Sequence, residues 1–490
     1  MKRISFLVSI FIAFVATFTG CVDETFTDDP SCVIEFSSDT ISFDTIFTTI
    51  PSRTTSFLVY NRNKKALKIS SVRLAGGTHS LFRMNVDGRL PDDSNIVTDI
   101  QIKAQDSLYI FVELTIDPTD KATPVYFEDA VEFIVNGVTS NVKLMGYGQD
   151  AIIFNSRSFS QDTILTDVRP YLIFNYIHVA NGTTLTIKEN TKLYFHANAN
   201  LIVDGNLKTQ GTLDKPVIMR GDRFDCMQDV DKTPYDYLPA QWGSIYLQSK
   251  KGSHEMDHTI IRGGKMGVLL VGLGTTHPEL LLKNSQIHTM KQYGIYSQNA
   301  SLTVENSEIS NCGSACITII GGESKVEHST IANYYEWDTR TEPALLITNY
   351  IVSDNLMYLF PISSSVFENS IIFGNHANEI TLQKDTLGTS FNVLLSNCLI
   401  KAVKETRSEY DHITWAPSQN SGENSSVRDT VFMNTSIQNI KTTGYYNFQL
   451  DVRSIAIGKA NRSVSERYPV DRLGKSRLGD SGPDLGAYER

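Results

Sequence analysis

Between Leu280 and Ile331 the chain repeats itself every 22 residues. Leu282, Val304 and Val326 fall in one column, Ile287, Ile309 and Ile331 in another, and Ile295 aligns with Ile317. Polar columns run beside them: Asn284, Asn306 and His328, then Ser285, Ser307 and Ser329. The register returns at Phe367-Asn369-Ser370-Ile372, at Leu395-Asn397-Cys398-Ile400 and at Val427-Asp429-Thr430-Phe432. A fixed period of this length means stacked units, each unable to bury its apolar side alone, that share one continuous core.

Two solenoids accommodate a period near 22, the leucine-rich repeat and the parallel β-helix. The pattern positions are Ile, Val, Leu and Phe, with Ser, Thr, Asn and Gly between them, which favours turns and short strands over helix. Apolar residues two apart, as in Leu302-Thr303-Val304, give the period of a strand. The pattern selects a β-helix, in which equivalent side chains stack about 4.8 Å apart. Its apolar columns fill the interior, and its Asn column suits a turn ladder of stacked amides.

The 490 residues carry a formal net charge of -10, which argues against nucleic acid or anionic lipid as an electrostatic partner. Residues 1–20 read as a signal peptide: Lys2 and Arg3 lead an apolar run from Ile4 to Phe18,. Phe18-Thr19-Gly20-Cys21 resembles a bacterial lipobox, which implies cleavage before Cys21 and lipidation of that residue, anchoring the chain without a spanning helix,. The acidic tether 21–31, with Asp23-Glu24 and Asp28-Asp29, resembles the surface-export signal of Bacteroidetes lipoproteins. The expected location is the outer face of the outer membrane; a plain solvated linker would leave the protein facing the periplasm. Asp-Thr-Ile at 39–41, 44–46 and 162–164 resembles the O-glycosylation signal of the same phylum. The remaining cysteines, Cys32, Cys226, Cys312, Cys316 and Cys398, are too scattered for a disulfide framework,. Cys398 occupies the Ser column, and Cys312 and Cys316 are open to pairing or to packing free.

Residues 32–148 read as six or seven antiparallel strands separated by turns such as Gly76-Gly77 and Asn136-Gly137, an immunoglobulin-like β-sandwich,. The order FLVYNRNKKALKISSVRL, FRMNV, LYIFVELTIDP, VEFIVNG, VKLMGYG resembles Hydin-type and abnormal-spindle-type Ig-like domains. That resemblance implies a spacer or interaction module. From 150 to 448 the β-helix follows. TTLTIKENTKLYFHANANLIVDGNLKTQGTLDKPVIM resembles the opening coils of right-handed parallel β-helix lipoproteins, with the sandwich or residues 150–180 expected to cover the edge coil,. Residues 449–490 resemble the closing segment of bacterial β-helix proteins: Asp471, Gly474, Arg477, Asp484, Gly486, Ala487, Tyr488 and Glu489 fit, whereas Ile455 and Ala456 depart from its Ser-Pro-Ala-Ile run. The segment is expected to cap the last coil, locked by an Arg477–carboxylate pair. The whole is an all-β fold, a right-handed parallel β-helix preceded by an Ig-like sandwich.

Function on a rigid solenoid is expected in loops that break the repeat. Ser329 to Ser370 exceeds one period by 19 residues, Ser370 to Cys398 by 6 and Cys398 to Thr430 by 10. The first insertion carries Tyr335 and Trp337, the third Tyr410 and Trp415; a further loop leads to Trp242. Aromatic faces beside carboxylates suit carbohydrate stacking, and the same rings also serve to pin a loop. Asp222, Asp225, Asp229 and Asp231 are weak Ca²⁺ candidates, lacking the spacing of a known calcium loop,. No other cofactor is indicated.

Parallel β-helices also host polysaccharide lyases and polygalacturonase-type hydrolases, whose Asn-Thr-Asp, Gly-His-Gly and Arg-Ile-Lys signatures are absent here. The reading is therefore a lipid-anchored envelope protein without assigned catalytic residues, presenting a β-helix face to a polysaccharide or surface protein. The alternative is a lyase or hydrolase of an acidic polysaccharide, with Lys265, His277, Lys291 or Arg262 as unselected candidates,.

Overall fold

The computed structural model describes residues 25–227, 233–248, 252–272, 278–416, 431–435, 446–479 and 482–490. Cys21, Asp229, Asp231 and His277, and the repeat positions Val427, Asp429 and Thr430, lie outside these. Two compact units divide the chain at Met1–Asp150 and Ala151–Arg490. Among the described residues, no helix is long and apolar enough to cross a membrane.

The first unit is a sandwich of a four-stranded and a five-stranded sheet around a core that includes Phe57, Ile69, Phe133 and Leu144. It has nine described strands, more than the sequence suggests, and one pair, Thr40–Phe47 with Val138–Gln149, is parallel. The first of these strands escapes a period-two reading because its register shifts between Ser42 and Thr45, where Asp44 takes φ 51°,.

The second unit is a parallel β-helix whose 26 described strands form one continuous ladder. Each coil contributes strands to three stacked sides. One side runs through Ile261, Ile287, Ile309, Ile331, Ile372 and Ile400, each paired in register with the next and all buried. The Asn column sits where the chain turns into this side. Asn284, Asn306, His328, Asn369 and Asn397 have φ between 45° and 51°, the left-handed region that a short polar side chain tolerates. Asn306 donates to Asn284 at 2.8 Å, so the amides do stack.

The Ser column works differently. Ser307 Oγ donates to the Glu305 carbonyl at 2.7 Å and accepts the Ser285 N–H of the preceding coil at 3.0 Å. Ser329 and Ser370 repeat the arrangement, and Cys398 Sγ, buried in the same column, donates to the Ser396 carbonyl. Ser307→Ala strands the buried Ser285 N–H and is expected to cost about 1–3 kcal/mol. Ser307→Thr keeps the hydroxyl, as Thr259 does in this column, and urea denaturation of both variants separates lost hydrogen bonding from changed volume. Cys312 and Cys316 are buried free thiols.

Two expectations about the ends need correction. The coil after Leu395–Ile400 is not at 427–432: Leu395 pairs with Tyr410, and Ile400 with Trp415. This coil, the closing one among the described residues, returns after 15 residues because it omits one of the three sides, so counting by 22 steps over it. Residues 152–179 are not a separate cover; Ile152–Phe159 pairs in parallel with Tyr171–Val179 and starts the ladder itself.

The C-terminal segment also runs elsewhere than expected, along the flank of the solenoid instead of over its last coil. Asn369 accepts from Asn461 N at 2.7 Å, His328 meets Ser465 Oγ at 2.9 Å, and Asn306 accepts from Arg477 at 2.8 Å. The expected Arg477–carboxylate pair forms, but within the segment and not onto the last coil: Arg477, fully buried, donates to Glu489 at 3.3 Å and to the Gly486 carbonyl at 3.0 Å. Gly474 and Gly486 take φ 81° and 89°, which reserves both positions for glycine,.

Candidate functional site

The side carrying the Ile column has two outward ladders, the residues just before and just after each inward Ile. In the middle coils these read Ile260/Arg262, Gln286/His288 and Glu308/Ser310; in the later coils they become Thr330/Ala332, Ile371/Phe373 and Leu399/Lys401. The face is polar first and apolar later. Its apolar part cannot stay in water, and the returning C-terminal segment covers it: Ala332, Ile371, Phe373 and Leu399 pack with Phe432, Phe448, Leu485 and Ala487,. The cover ends at Tyr488, which reaches Glu308 and Gln286, and at Tyr446 and Phe448. The polar part remains as a cleft.

Two adjoining cavities of about 340 and 410 Å³ make up this cleft, with Gln286, Glu308, Tyr446 and Phe448 in the walls of both. That is the size range of small-molecule sites, about 300–1,000 Å³. The first cavity is closed by Asp236 and Tyr237 of the loop before Trp242, the second by Arg472 and Tyr488. Tyr446 and Phe448 stand parallel, 5.9 Å apart at 6°.

The charges in the cleft are matched internally. Arg262 forks onto Asp236 at 2.7 and 2.9 Å, and Arg220 approaches the same carboxylate at 3.1 Å. Burial opposes ionisation of Asp236, but the two guanidiniums outweigh it and hold the carboxyl below its usual range,. Glu308 accepts from Ser310 at 2.7 Å, from Gln286 at 3.1 Å and from Tyr488. Burial, then the neighbouring Glu308, pushes the Tyr488 phenol far above its usual range, so it stays a donor. Desolvation, with Arg262 nearby, brings His288 down to about 4, leaving a neutral imidazole whose Nδ1 lies 2.9 Å from Thr289 Oγ1.

A second depressed histidine belongs to the interior. His254 stands between Leu207 and Leu280, accepts the Leu207 N–H at 3.2 Å, and is brought down to about 4 by burial. Its unfolded pKa is about 6.5, so between those values it binds a proton only on unfolding; stability is complete above pH 6.5 and falls toward pH 4. The loss is expected to be a few kcal/mol, shared with His288, His328 and His376, which burial also shifts downward,. In urea titrations across this window, His254→Leu should flatten the pH slope by roughly a quarter to a third.

The aromatics singled out in the sequence do not gather into one site. Trp242 is a core residue, stacked 4.4 Å from Phe195 with Nε1 donating to the Arg262 carbonyl at 2.9 Å. Tyr335 is 2% exposed. Tyr410 and Trp415, edge to face at 5.2 Å, pack on the solenoid core as its closing coil. Trp337 stays half-buried on a loop tied down by Arg340. Of the calcium candidates, Asp222 pairs with His196 at 2.7 Å and Asp225 with Arg223 at 2.6 Å. Among the described residues, no group of three or more His, Cys, Asp or Glu side chains is placed to hold a metal. Lys265 and Lys291 are engaged by Asn198 and Asp338 outside the cleft, whereas Arg262 lines it.

Residues 267–452 match the family model described as right handed beta helix region. The matched span includes Gln286, Glu308, Tyr446 and Phe448 of the cleft but not Asp236, Arg262, Arg472 or Tyr488. Comparison with curated proteins yields no match. Among solved structures, a family 123 glycoside hydrolase from Clostridium perfringens, analysed for glycolipid glycan hydrolysis, is 8% identical with TM-score 0.18, over 24% of this chain and 26% of its own. This chain therefore spans about a quarter of that hydrolase. PapD-like domain 7 of human CEP192 is 13% identical over 27% of this chain and 96% of its own, TM-score 0.17. A protein of unknown function from Porphyromonas gingivalis W83 is 9% identical over 26% and 60%, TM-score 0.18.

Proposed function

We propose that this protein is a glycan-binding module of the cell envelope, held at the outer membrane through lipid on Cys21 and using the cleft beneath its C-terminal segment as the binding site. One observation carries the reading: the returning segment buries the apolar half of the solenoid face and stops where the face turns polar, leaving an aromatic-walled cleft. Such walls, with a few convergent polar groups, suit a sugar ring. The lipobox resemblance and the acidic tether support anchoring and surface display.

Neither Asp236 nor His288 suits the acid or base of a cleavage reaction. Hydrolysis uses one carboxyl of raised pKa as acid, and Asp236 is shifted the opposite way. Elimination needs a base, and His288, brought down to about 4, is a weak one,.

The test is size-exclusion chromatography of the full chain with neutral and uronate-containing polysaccharides, with and without Ca²⁺. Glycan of unchanged length co-eluting with the protein is the expected result. Shortened glycan would overturn the binding reading in favour of a lyase or hydrolase.

A further inference from the structure

We infer that two copies of this chain associate through an exposed apolar hairpin, each pairing one open strand edge with the same edge of the other. The hairpin, Tyr350–Ser353 with Leu356–Leu359, lies in the largest insertion of the solenoid and forms a sheet of its own. Asp354 and Asn355 close it at φ 51° and 61°, the two-residue turn that suits the twist of a hairpin,. Both faces are apolar and open: Val352, Leu356, Met357, Tyr358 and Leu359 are 39–60% exposed,.

Its base is fixed. Asn349, fully buried, donates to Asp385 at 2.6 Å and to the Thr389 carbonyl at 3.2 Å, and accepts from Asp385 N at 2.8 Å. The hairpin is thus held in one orientation, and little order has to be imposed on it when a partner arrives.

The backbone points to the occupant. Phe360 N donates to the Asn349 carbonyl at 2.8 Å, and the alternation of an antiparallel pair then turns the N–H and C=O of Met357 and Leu359 away from the sister strand,. Among the described residues no strand meets them. On the opposite edge, Thr348 Oγ1 donates to the Tyr350 carbonyl at 3.1 Å and accepts its N–H at 3.3 Å. One edge is open and the other is blocked at its base, so pairing closes at two copies instead of growing onward.

The open strand, Leu-Met-Tyr-Leu, carries no charge, so an identical strand meets it without like-charge repulsion,. A two-fold axis at Tyr358 sets Met357 of each copy against Leu359 of the other and satisfies the open backbone groups of both. Tyr358 then faces its own counterpart, an aromatic cross-strand pair. Four half-exposed side chains at roughly 100 Å² each, doubled by the second copy, bring about 800 Å² together, the size of a weak and reversible contact.

Sedimentation velocity of the full chain at rising concentration tests this, with monomer giving way to dimer as the expected result. Tyr358→Lys opposes two ammonium groups on the axis and should weaken association by roughly ten-fold or more. Val352→Lys, on the far strand, should change it less than about two-fold. Both side chains are exposed, and both variants should melt as the wild type does. Under diamide, Tyr358→Cys should give a disulfide-linked dimer beyond the background of Cys32 and Cys226, since opposed residues of such a pair stand about 4.5 Å apart, within disulfide reach,. Leu356→Cys, set opposite Phe360, should not.

A cross-link through Leu356→Cys and not through Tyr358→Cys would overturn the register. Association that survives Tyr358→Lys, or falls equally with Val352→Lys, would overturn edge pairing. A monomer at every concentration would overturn the interface altogether.

Discussion

Arg477→Met is expected to destabilise the protein by about 3–5 kcal/mol, the cost of breaking a buried ion pair from one side. The side chain is fully buried, and its loss leaves Glu489 without its cation and Asn306 Oδ1 without its donor. Asp471 and Asp484, also buried, are held around the same point: Asp471 accepts Glu489 N at 2.8 Å, and Asp484 accepts Gly458 N at 2.7 Å. The damage should therefore concentrate in the C-terminal segment. Hydrogen exchange of residues 482–490 should rise more than that of the interior strands, and the urea midpoint should fall. Arg477→Lys keeps the charge but not the fork, and should recover only part of the loss.

A loss of similar size, about 3–5 kcal/mol, is expected for Arg340→Met. Arg340 and Glu379 have 1% and 0% of their side chains exposed and meet through a two-bond fork at 2.7 and 2.8 Å. Arg340 also donates to Glu342 O, Asn333 O and Asn375, while Glu379 accepts the N–H groups of Ala344 and His376. Removing the cation leaves a buried carboxylate with backbone donors alone. Replacing both partners with apolar residues should recover part of the loss, because the stranded charge goes too. A double-mutant cycle in urea measures this. The arrangement also explains why the Tyr334–Arg340 insertion is a fastened loop: of its 19 surplus residues, six fall before Leu345, and the other 13 lie beyond it, around the hairpin of Tyr350–Ser353 and Leu356–Leu359.

Much of the solenoid was legible because stacking makes equivalent positions chemically equivalent. The Ile column is interior, the Ser column is a chain of hydroxyls joining one coil to the next, and the Asn column is a left-handed turn. The closing coil was not legible, since dropping one side of the triangle changes the period from 22 to 15 residues. Aromatic content misled for a related reason: Tyr410 and Trp415 occupy inward positions at the end of the core, where large rings fill the last layer.

The cleft was hidden by distance along the chain. Gln286 meets Tyr488 across 202 residues, and no local pattern announces such a contact. One signal was present: the outward ladders pass from Gln286/His288 and Glu308/Ser310 to Ile371/Phe373. A solenoid face that turns apolar partway along needs a cover, and the boundary of that cover marks the site.

The most direct test of that claim is hydrogen–deuterium exchange of the full chain with and without a saturating concentration of a glycan that co-elutes with it. Added protection is expected at residues 286–290, 308–312 and 446–450, with none at 107–114. Protection confined to the sandwich or to the loop carrying Trp337, with the cleft strands unchanged, would contradict it.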